Sequence, residues 1–275
     1  MSIPKVIHYC WFGGAPLDDR SKECISSWEK YCPDYEIIRW DETNFDVSQN
    51  EYMREAYDAG KWAFVTDVAR LMIILEHGGF YFDTDVELVK SLDDLTSLDA
   101  FFGKEEPFTI NTGIGFGARP QHAAVAAMLK DYDGIHFTLG KGVYDLQPCP
   151  YRNSKVLLDN GLKDSDTVQT LTVNGDEVRV FPKEYFCPRD YETGEMNLTD
   201  NSFSIHWYGA SWLSAEAKKN IECAESFQKT HGKLASFIYW RITDYKNQFG
   251  SFNVKNVLQF SVSQVQFYSK KLLRK

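Results

Sequence analysis

The sequence predicts an α/β fold in which a sheet is flanked by helices, and two observations support this prediction. The chain opens with a strand-like run, a glycine turn, a helix-like segment and a second strand-like run, which is the order of elements in α/β nucleotide-binding domains. A later helix-like segment leads through a Gly–Gly pair into a short apolar run that ends in two aspartates. The length of 275 residues allows one such domain with a substantial core.

The first elements are indicated by their composition. Residues 5–12 are rich in β-branched and aromatic side chains and are predicted as a strand, which Gly13 and Gly14 end in a turn. Residues 18–31 are predicted as a helix and residues 35–40 as a second strand. Together these elements would begin a sheet that carries a helix on one face.

The clearest helix is predicted over residues 62–76, where apolar residues recur with the helical period. Gly78 and Gly79 follow, and glycine tolerates the left-handed conformation that ends helices. Residues 80–82 form a predicted buried strand, which ends at the sequence Asp–Thr–Asp. Extended segments are further predicted at residues 86–89, 99–103, 108–116, 177–181 and 203–212, and helices at residues 120–131 and 154–160.

The last part of the chain differs from the rest in structure and in charge. From residue 215 it is predicted to be largely helical, so we expect a main domain at residues 1–214 and a helical extension at residues 215–275, packed on or beside it. Residues 245–275 contain six Lys or Arg and no Asp or Glu, whereas the whole chain carries a net charge of −9. This segment is therefore either an ordinary packed helix or an amphipathic helix that contacts an anionic membrane.

Composition argues against several classes of protein. The net charge of −9 makes nucleic acid an unfavourable partner. No segment has the roughly 18 unbroken apolar residues of a transmembrane helix. The N-terminal residues have no apolar core of the kind found in secretion signals, and the six cysteines form no Cys-x-x-Cys pair. We therefore expect a cytoplasmic protein with reduced thiols and no zinc site.

The aspartates at positions 83 and 85 are the first candidate functional residues. Residues i and i+2 of an extended segment point to the same side, so both carboxylates would face one cavity at the end of a buried strand. Mg²⁺ and Mn²⁺ prefer such oxygen ligands and commonly bridge carboxylates to phosphates. A pyrophosphate leaving group needs that neutralisation of charge. Because Asp-x-Asp also occurs in solvated turns, its surroundings must decide between these interpretations.

The preceding helix supplies those surroundings. Asp67 and Arg70 are three residues apart and share one face of the helix. The helix is otherwise apolar, so this pair indicates a polar neighbour, and the hydroxyls of a sugar would suit one acceptor and one donor. A surface ion pair is the simpler alternative.

With these residues the sequence resembles glycosyltransferase family 32. Two blocks carry the resemblance, IPKVIHYCWFGG at residues 3–14 and TDVARL…LEHGGFYFDTDV at residues 66–86. The family includes bacterial capsular polysaccharide transferases and a fungal mannosyltransferase, and it is related to the glucosylating domains of large clostridial toxins. The resemblance implies a GT-A-type catalytic domain, a nucleotide-sugar donor, a divalent metal ion (Mn²⁺ or Mg²⁺) and retention of the anomeric configuration.

The resemblance also implies roles for single residues. Asp85 would ligate the metal directly, while Asp83 would contact hydroxyls of the donor, also through the metal. Asp67 and Arg70 would hold the donor sugar and complete the catalytic set. Three further residues have two interpretations each, the first in the donor site and the second structural: base stacking or a core position for Trp11, pocket lining or a core position for Tyr81, and sugar contact or a turn for Asn111.

A third segment completes the implied site. His206, which is followed by x-x-Gly, resembles the metal-binding segment of related retaining transferases. A neutral imidazole is a good ligand for Mn²⁺ and would complete a site that begins at Asp85. Ser211 and Trp212 would then close over the pyrophosphate of the donor.

The resemblance leads us to expect a retaining glycosyltransferase that moves a sugar, from a UDP-sugar donor, to a glycan or lipid-linked acceptor in surface polysaccharide synthesis. Two alternatives stay open. A phosphohydrolase of the haloacid-dehalogenase type also places Asp-x-Asp after a strand, but it needs a later Lys and an acidic motif that we do not find. A non-catalytic sugar-binding module would not need these acids, Arg70 and His206 together.

Overall fold

The computed structural model describes residues 2–140, 142–191 and 193–209, and it confirms the predicted α/β class. The strands are β1 (Val6–Cys10), β2 (Glu36–Trp40), β3 (Gly79–Tyr81), β4 (Val86–Leu88), β5 (Ala100–Glu106), β6 (Thr109–Ile110), β7 (Phe116–Ala118), β8 (Thr138–Gly140), β9 (Val143–Tyr144), β10 (Gln169–Val173), β11 (Asp176–Phe181) and β12 (Ser204–His206). The helices are α1 (Asp19–Tyr31), α2 (Glu51–Asp58), α3 (Trp62–His77), α4 (Ala123–Lys130), α5 (Cys149–Asp159) and α6 (Lys183–Phe186). Two 3₁₀ turns lie at Val47–Gln49 and Asp93–Leu95.

The central sheet is mixed, with the strand order β10–β11–β5–β7–β3–β1–β2 and β6 paired to β5. Strand β1 is parallel to β2 and β3, and β5 is parallel to β11. Strand β7 is antiparallel to both of its neighbours, β3 and β5. The carboxyl ends of β1, β2 and β3 therefore meet at one edge of the sheet, where ligands commonly bind in α/β proteins.

Both faces of the sheet are covered by helices. Successive residues of a strand point to opposite faces, so Tyr81 and Phe102 pack with α2, α3, α4 and α5, whereas their neighbours Phe80 and Phe101 pack with α1 and α6. All four side chains are fully buried. This two-sided burial explains why β3 reads as an unbroken apolar run and not as an alternating pattern.

A separate two-stranded ribbon carries the end of the described chain back to the sheet. Strands β4 and β12 pair antiparallel, with His206 opposite Val86. Helix α1 anchors the ribbon, because Trp28 Nε1 donates to the Val86 carbonyl at 2.8 Å and the Leu88 N–H donates to Ser27 Oγ at 2.8 Å. The ribbon thus brings the predicted extended segment near residue 206 beside the two aspartates.

The predicted strand at residues 108–116 is two short strands, β6 and β7, with a loop at residues 111–115. The loop requires glycine at two positions, because a Cβ on Gly113 would lie 2.2 Å from Asp83 Oδ2 and one on Gly115 would lie 2.6 Å from Phe82 Cε1. The short elements α2, β8 to β10 and α6 were not predicted. Helix α2 has only eight residues, and it begins where Asn50 Oδ1 accepts from the Met53 N–H.

Three further predictions concern membrane-spanning helices, cysteines and the domain boundary. Within residues 2–140, 142–191 and 193–209, no helix is both long enough and apolar enough to cross a membrane. The five cysteines of this part are free and buried: Cys10, Cys24, Cys32, Cys149 and Cys187. The boundary at residue 214/215 and the helical extension lie outside the described residues and stay predictions.

His8 on β1 gives the fold a testable dependence on pH. Its ring is buried, with Nδ1 accepting from Trp40 Nε1 at 3.0 Å and Nε2 lying 3.0 Å from the Gly78 carbonyl. Burial lowers the pKa of His8 to about 4. In the unfolded chain His8 binds a proton near pH 6.5, whereas in the folded chain it stays neutral down to about pH 4. The free energy of unfolding therefore decreases as the pH falls from 6.5 towards 4.

We expect His8→Asn to have a lower free energy of unfolding than wild type at pH 7.5. The difference between the two proteins, which we call the gap, should be about 2 kcal/mol smaller at pH 5. Urea unfolding at the two pH values measures this gap. His136→Asn, at a histidine side chain that is 58% exposed, is the matched control and should not change the pH dependence in this way. A gap for His8→Asn that is the same at both pH values would contradict the account.

Candidate functional site

The two aspartates of the Asp–Thr–Asp sequence lie directly after β3, at the carboxyl edge of the sheet. The Asp83 N–H donates to the Gly113 carbonyl at 2.9 Å, which ties the segment to the loop between β6 and β7. The Val86 N–H donates to the Asp83 carbonyl at 3.1 Å and closes a turn into β4. The backbone is thus fixed on both sides, while the two side chains have different partners.

Asp83 is held from the side of the core. Its Oδ1 accepts from the Tyr81 hydroxyl at 3.0 Å and from Arg70 Nη2 at 3.2 Å. The Arg70 side chain is 4% exposed, whereas that of Asp83 is 32% exposed. Two buried groups therefore orient a carboxylate that still reaches solvent, and Asp83 has acceptor capacity left for a ligand.

Arg70 is the centre of a buried polar cluster on α3. Its Nη2 lies 3.2 Å from Asp67 Oδ1, and its Nε donates to the Thr66 carbonyl at 3.0 Å. Burial raises the pKa of Asp67, and the charge of Arg70 opposes that rise. The predicted polar face of this helix is present. Asp67 and Arg70 contact each other, and Arg70 contacts Asp83, inside the protein and not as a surface ion pair.

Thr112 of the loop completes this cluster. Arg70 Nη1 donates to Thr112 Oγ1 at 3.4 Å, and Asn153 Nδ2 on α5 donates to the same oxygen at 3.0 Å. Thr112 and Asn153 are both fully buried. The guanidinium is thereby fixed from several directions, and the position of Asp83 depends on a network that reaches three elements of the fold.

Asp85 is held from the opposite side, by the segment that follows β12. Its Oδ2 accepts from the Gly209 N–H at 2.7 Å and lies 3.4 Å from His206 Nε2. The Trp207 N–H donates to the Asp85 carbonyl at 2.9 Å. Burial alone would raise the pKa of Asp85, but His206 and the Gly209 N–H lower it below the usual value.

His206 has the complementary electrostatics. Burial alone would lower its pKa, whereas the Asp85 carboxylate raises the pKa of His206 well above the usual range. The β4–β12 register places His206 opposite Val86, one residue from Asp85, although 120 residues of chain separate the two. The structure therefore brings together the carboxylate and the imidazole that the family resemblance assigns to one metal site.

These residues fit a divalent metal ion. Asp85 Oδ2 and His206 Nε2 converge, and carboxylate and imidazole are both good ligands for Mn²⁺. Two glycines leave room around the aspartates, since a Cβ on Gly209 would lie 3.2 Å from the Asp85 Cβ and one on Gly113 would collide with Asp83. Side chains at either glycine would fill the space beside the carboxylates.

Two neighbours of His206 were not predicted from the sequence. The ligand atoms of Glu105 on β5, Cys187 after α6 and His206 all lie within 4.8 Å of one another. Sequence spacing carries no indication of this group, because its members come from segments about 80 and 20 residues apart and meet only through β5, α6 and the β4–β12 ribbon.

The remaining predicted residues have the following positions. Trp11 is half-buried at the end of β1, and its Nε1 donates to the Ala15 carbonyl at 2.6 Å. Tyr81 is fully buried, with its hydroxyl on Asp83. Asn111 Nδ2 donates to Glu105 Oε2 at 3.0 Å, and its Oδ1 accepts from the Gly113 N–H at 2.7 Å. Ser211 and Trp212 lie outside the described residues.

Residues 18–102 match the family model described as "Glycosyltransferase sugar-binding region containing DXD motif". The match covers Asp67, Arg70 and both aspartates of the motif. The matched segment of this chain is thus similar to a region found in glycosyltransferases.

The chain is also similar to a curated protein and to solved structures. Inositol phosphoceramide mannosyltransferase 3 of Schizosaccharomyces pombe is 27% identical over 124 residues, which are 41% of this chain and 33% of that relative. The chain thus spans about a third of the length of that protein. Similar structures are PaToxG glycosyltransferase (18% identity, TM-score 0.46, 57% of this chain and 69% of the other) and a glycosyltransferase involved in glycosylation of the major capsid of PBCV-1 (14%, TM-score 0.42, 80% and 100%).

Proposed function

We propose that this chain is a metal-dependent, retaining glycosyltransferase that uses a nucleotide-sugar donor. One observation carries the proposal: the two aspartates of the motif stand at the carboxyl edge of the sheet, with Asp83 fixed by Arg70 and Asp85 facing His206. This division gives one carboxylate for the donor's hydroxyls and one for a metal ion. The match of residues 18–102 to a sugar-binding glycosyltransferase region supports it.

Each group would have a separate task. Asp85 and His206 would hold Mn²⁺ or Mg²⁺, and the bound ion would supply positive charge to neutralise the pyrophosphate leaving group. Asp83 would accept hydrogen bonds from the donor's hydroxyls, in an orientation set by Arg70 and Tyr81. In a retaining reaction the departing phosphate can itself take the proton of the acceptor hydroxyl, so no further base is required.

The substrates are proposed at the level of class. We propose a UDP-sugar donor and a glycan or lipid-linked acceptor, in the synthesis of surface polysaccharide. The fission yeast relative is named as a mannosyltransferase that acts on inositol phosphoceramide, which is a lipid. Its name is thus compatible with a lipid-linked acceptor for this chain. We further propose that the protein works in the cytoplasm, at the inner face of the membrane that carries such an acceptor.

A binding screen tests the proposed donor. Nucleotide sugars with different bases and sugars are added with Mn²⁺, and thermal unfolding is followed. A true donor should raise the melting temperature by mass action, by an amount equivalent to about 2.7 kcal/mol at 100 times its Kd. Protection by small phosphate esters, with no protection by any nucleotide sugar, would favour the haloacid-dehalogenase-type alternative.

The basic end of the chain leads to a separate prediction. Its cationic residues after position 265 are Lys270, Lys271, Arg274 and Lys275. If this segment contacts anionic headgroups, each charge contributes about 1 kcal/mol, and the attraction fades as salt shortens the screening length. Replacing all four with Gln should release the protein from anionic vesicles at low salt without changing donor hydrolysis in solution.

The control for this experiment removes the same charge elsewhere. It replaces four exposed lysines, Lys22, Lys30, Lys61 and Lys155. This variant should stay on the vesicles more firmly than the tail variant, although both lose four charges. Equal release of the two variants, or no vesicle binding by wild type, would contradict a membrane role of the tail.

A further inference from the structure

The imidazole of His206 has a second side, which the proposed metal site does not use. Nε2 faces Asp85 at 3.4 Å, whereas Nδ1 is buried and has no hydrogen-bond partner within the described residues. The carboxylate oxygen Glu105 Oε1 lies 3.8 Å from Nδ1, slightly beyond hydrogen-bond distance. The ring therefore stands between two carboxylates, and a small rotation of either side chain would complete a bond to the second one.

Glu105 is itself held in place. It lies near the end of β5, with its side chain only 18% exposed. Its second oxygen, Oε2, accepts from Asn111 Nδ2 at 3.0 Å, which leaves Oε1 directed to His206. The Glu105 carboxylate is therefore mostly shielded from solvent, and its free oxygen is positioned to accept a hydrogen bond from the His206 ring.

Asn111 connects this carboxylate to the other half of the site. Asn111 Oδ1 accepts from the Gly113 N–H at 2.7 Å, and the Gly113 carbonyl accepts from the Asp83 N–H at 2.9 Å. A continuous path of contacts thus runs from His206 through Glu105 and the loop to Asp83. This path gives Asn111 a bracing task that uses both of its polar groups.

Histidines that bind metals almost always donate their other ring N–H to a carboxylate, a carbonyl or water, which fixes the orientation of the ring. We propose that Glu105 is a positioning residue that receives the Nδ1–H of His206 and so presents Nε2 to the metal beside Asp85. The proposal rests on the proposed function, because it assigns a metal to Asp85 and His206. In this role Glu105 would act on the metal only through the His206 ring.

Cys187 is the other group behind the ring, within 4.8 Å of both Glu105 and His206. Its Sγ is 2.9 Å from the Tyr208 hydroxyl, so the thiol already has a partner, and sulfur is a weaker acceptor than a carboxylate. The geometry therefore favours Glu105 as the partner of Nδ1. A thiophilic ion held directly by Glu105, Cys187 and His206 is the competing explanation, and the experiment must separate the two.

Binding of Mn²⁺ alone to the full chain tests the proposal, measured by electron paramagnetic resonance of the free ion. Glu105→Gln keeps the shape and the bond from Asn111 but loses the charge, and it should weaken Mn²⁺ binding about 10- to 100-fold. Glu105→Asp keeps a carboxylate and should restore part of the affinity. The matched control is Glu106→Gln, at an exposed neighbour that pairs with Lys183, and its affinity should be that of wild type.

The turnover of the same variants adds a second readout. For Glu105→Gln the Mn²⁺ concentration at half-maximal rate should rise by the same factor, with kcat at saturating Mn²⁺ largely kept. Wild-type affinity for Mn²⁺ in a folded Glu105→Gln variant would overturn the positioning role and leave the proposed function intact. Loss of Mn²⁺ binding in His206→Ala with an unchanged Glu105→Gln would locate the failure in Glu105 alone.

Two further outcomes would also overturn the proposal. If wild type binds Zn²⁺ more tightly than Cys187→Ala and Glu105→Gln do, and Mn²⁺ binding is equal in all three, the group is a thiophilic site and not a brace. A nucleotide sugar could protect wild type against thermal unfolding and be cleaved by it while wild type binds no Mn²⁺. In that case the metal assignment and the positioning role are both wrong, while the transferase activity stands.

Discussion

Asp85→Asn is expected to reduce donor cleavage by at least about 100-fold and to remove Mn²⁺-dependent donor binding, since even supporting residues of metal sites cost 10- to 100-fold. The change removes the charge that faces His206 Nε2 at 3.4 Å, while an amide oxygen can still accept from the Gly209 N–H. The fold should therefore survive, and the loss should fall on the metal. Release of nucleoside diphosphate, measured across a range of Mn²⁺ concentrations, gives both effects.

Asp159→Asn is the matched control, because this aspartate is 65% exposed at the end of α5 and pairs only with Lys155 among the described contacts. It should cleave the donor at the wild-type rate. Near-wild-type turnover of Asp85→Asn at low Mn²⁺ would mean that Asp85 is not a metal ligand, whatever its distance from His206.

Arg70→Met is expected to give the largest loss of stability, about 3–5 kcal/mol in the free energy of unfolding. Arg70 is the cation between Asp67 and Asp83, at 3.2 Å from each. Without it Asp67, which is 7% exposed, would be a buried carboxylate that has lost its ion-pair partner. Urea unfolding at pH 7 measures the loss, and Arg179→Ala, at an exposed pair with Glu177, should cost less than about 1 kcal/mol.

The same variant tests whether Arg70 serves the sugar part of the donor or its nucleotide part. Arg70 orients Asp83, which is the carboxylate proposed for the donor's hydroxyls. Under conditions where Arg70→Met stays folded, its affinity for the intact nucleotide sugar should therefore fall more than its affinity for the matching nucleoside diphosphate. Equal losses for both ligands would mean that Arg70 serves the fold or the nucleotide, and a stability loss below about 1 kcal/mol would contradict the buried pair.

The local parts of the fold could be predicted from the sequence. Helix α3 has the helical period, and the following glycines and apolar run mark β3, so the position of the two aspartates at a strand end followed directly. The polar pair on α3 was also visible, but its burial was not. Whether Asp67 and Arg70 face solvent or Asp83 depends on the crossing of α3 over β3, which no spacing encodes.

The long-range parts could not be predicted from pattern alone. His206 meets Asp85 only because β12 pairs with β4, and no rule of spacing selects that pairing. Its assignment came from resemblance to related transferases. Glu105 and Cys187 had no such support, and they were missed. The predicted strand at residues 108–116 included the loop at residues 111–115, whose shape is set by the close approach of its glycines to Asp83 and Phe82.

The central claim is that the site at Asp83 and Asp85 cleaves a nucleotide sugar in a metal-dependent reaction. The direct measurement incubates wild type with a panel of nucleotide sugars and identifies the products, with Mn²⁺ and again with EDTA. We predict free nucleoside diphosphate and free or transferred sugar from at least one donor, abolished by EDTA and by Asp85→Asn. Release that is equal with EDTA, or hydrolysis of phosphate esters with no cleavage of any nucleotide sugar, would contradict the account.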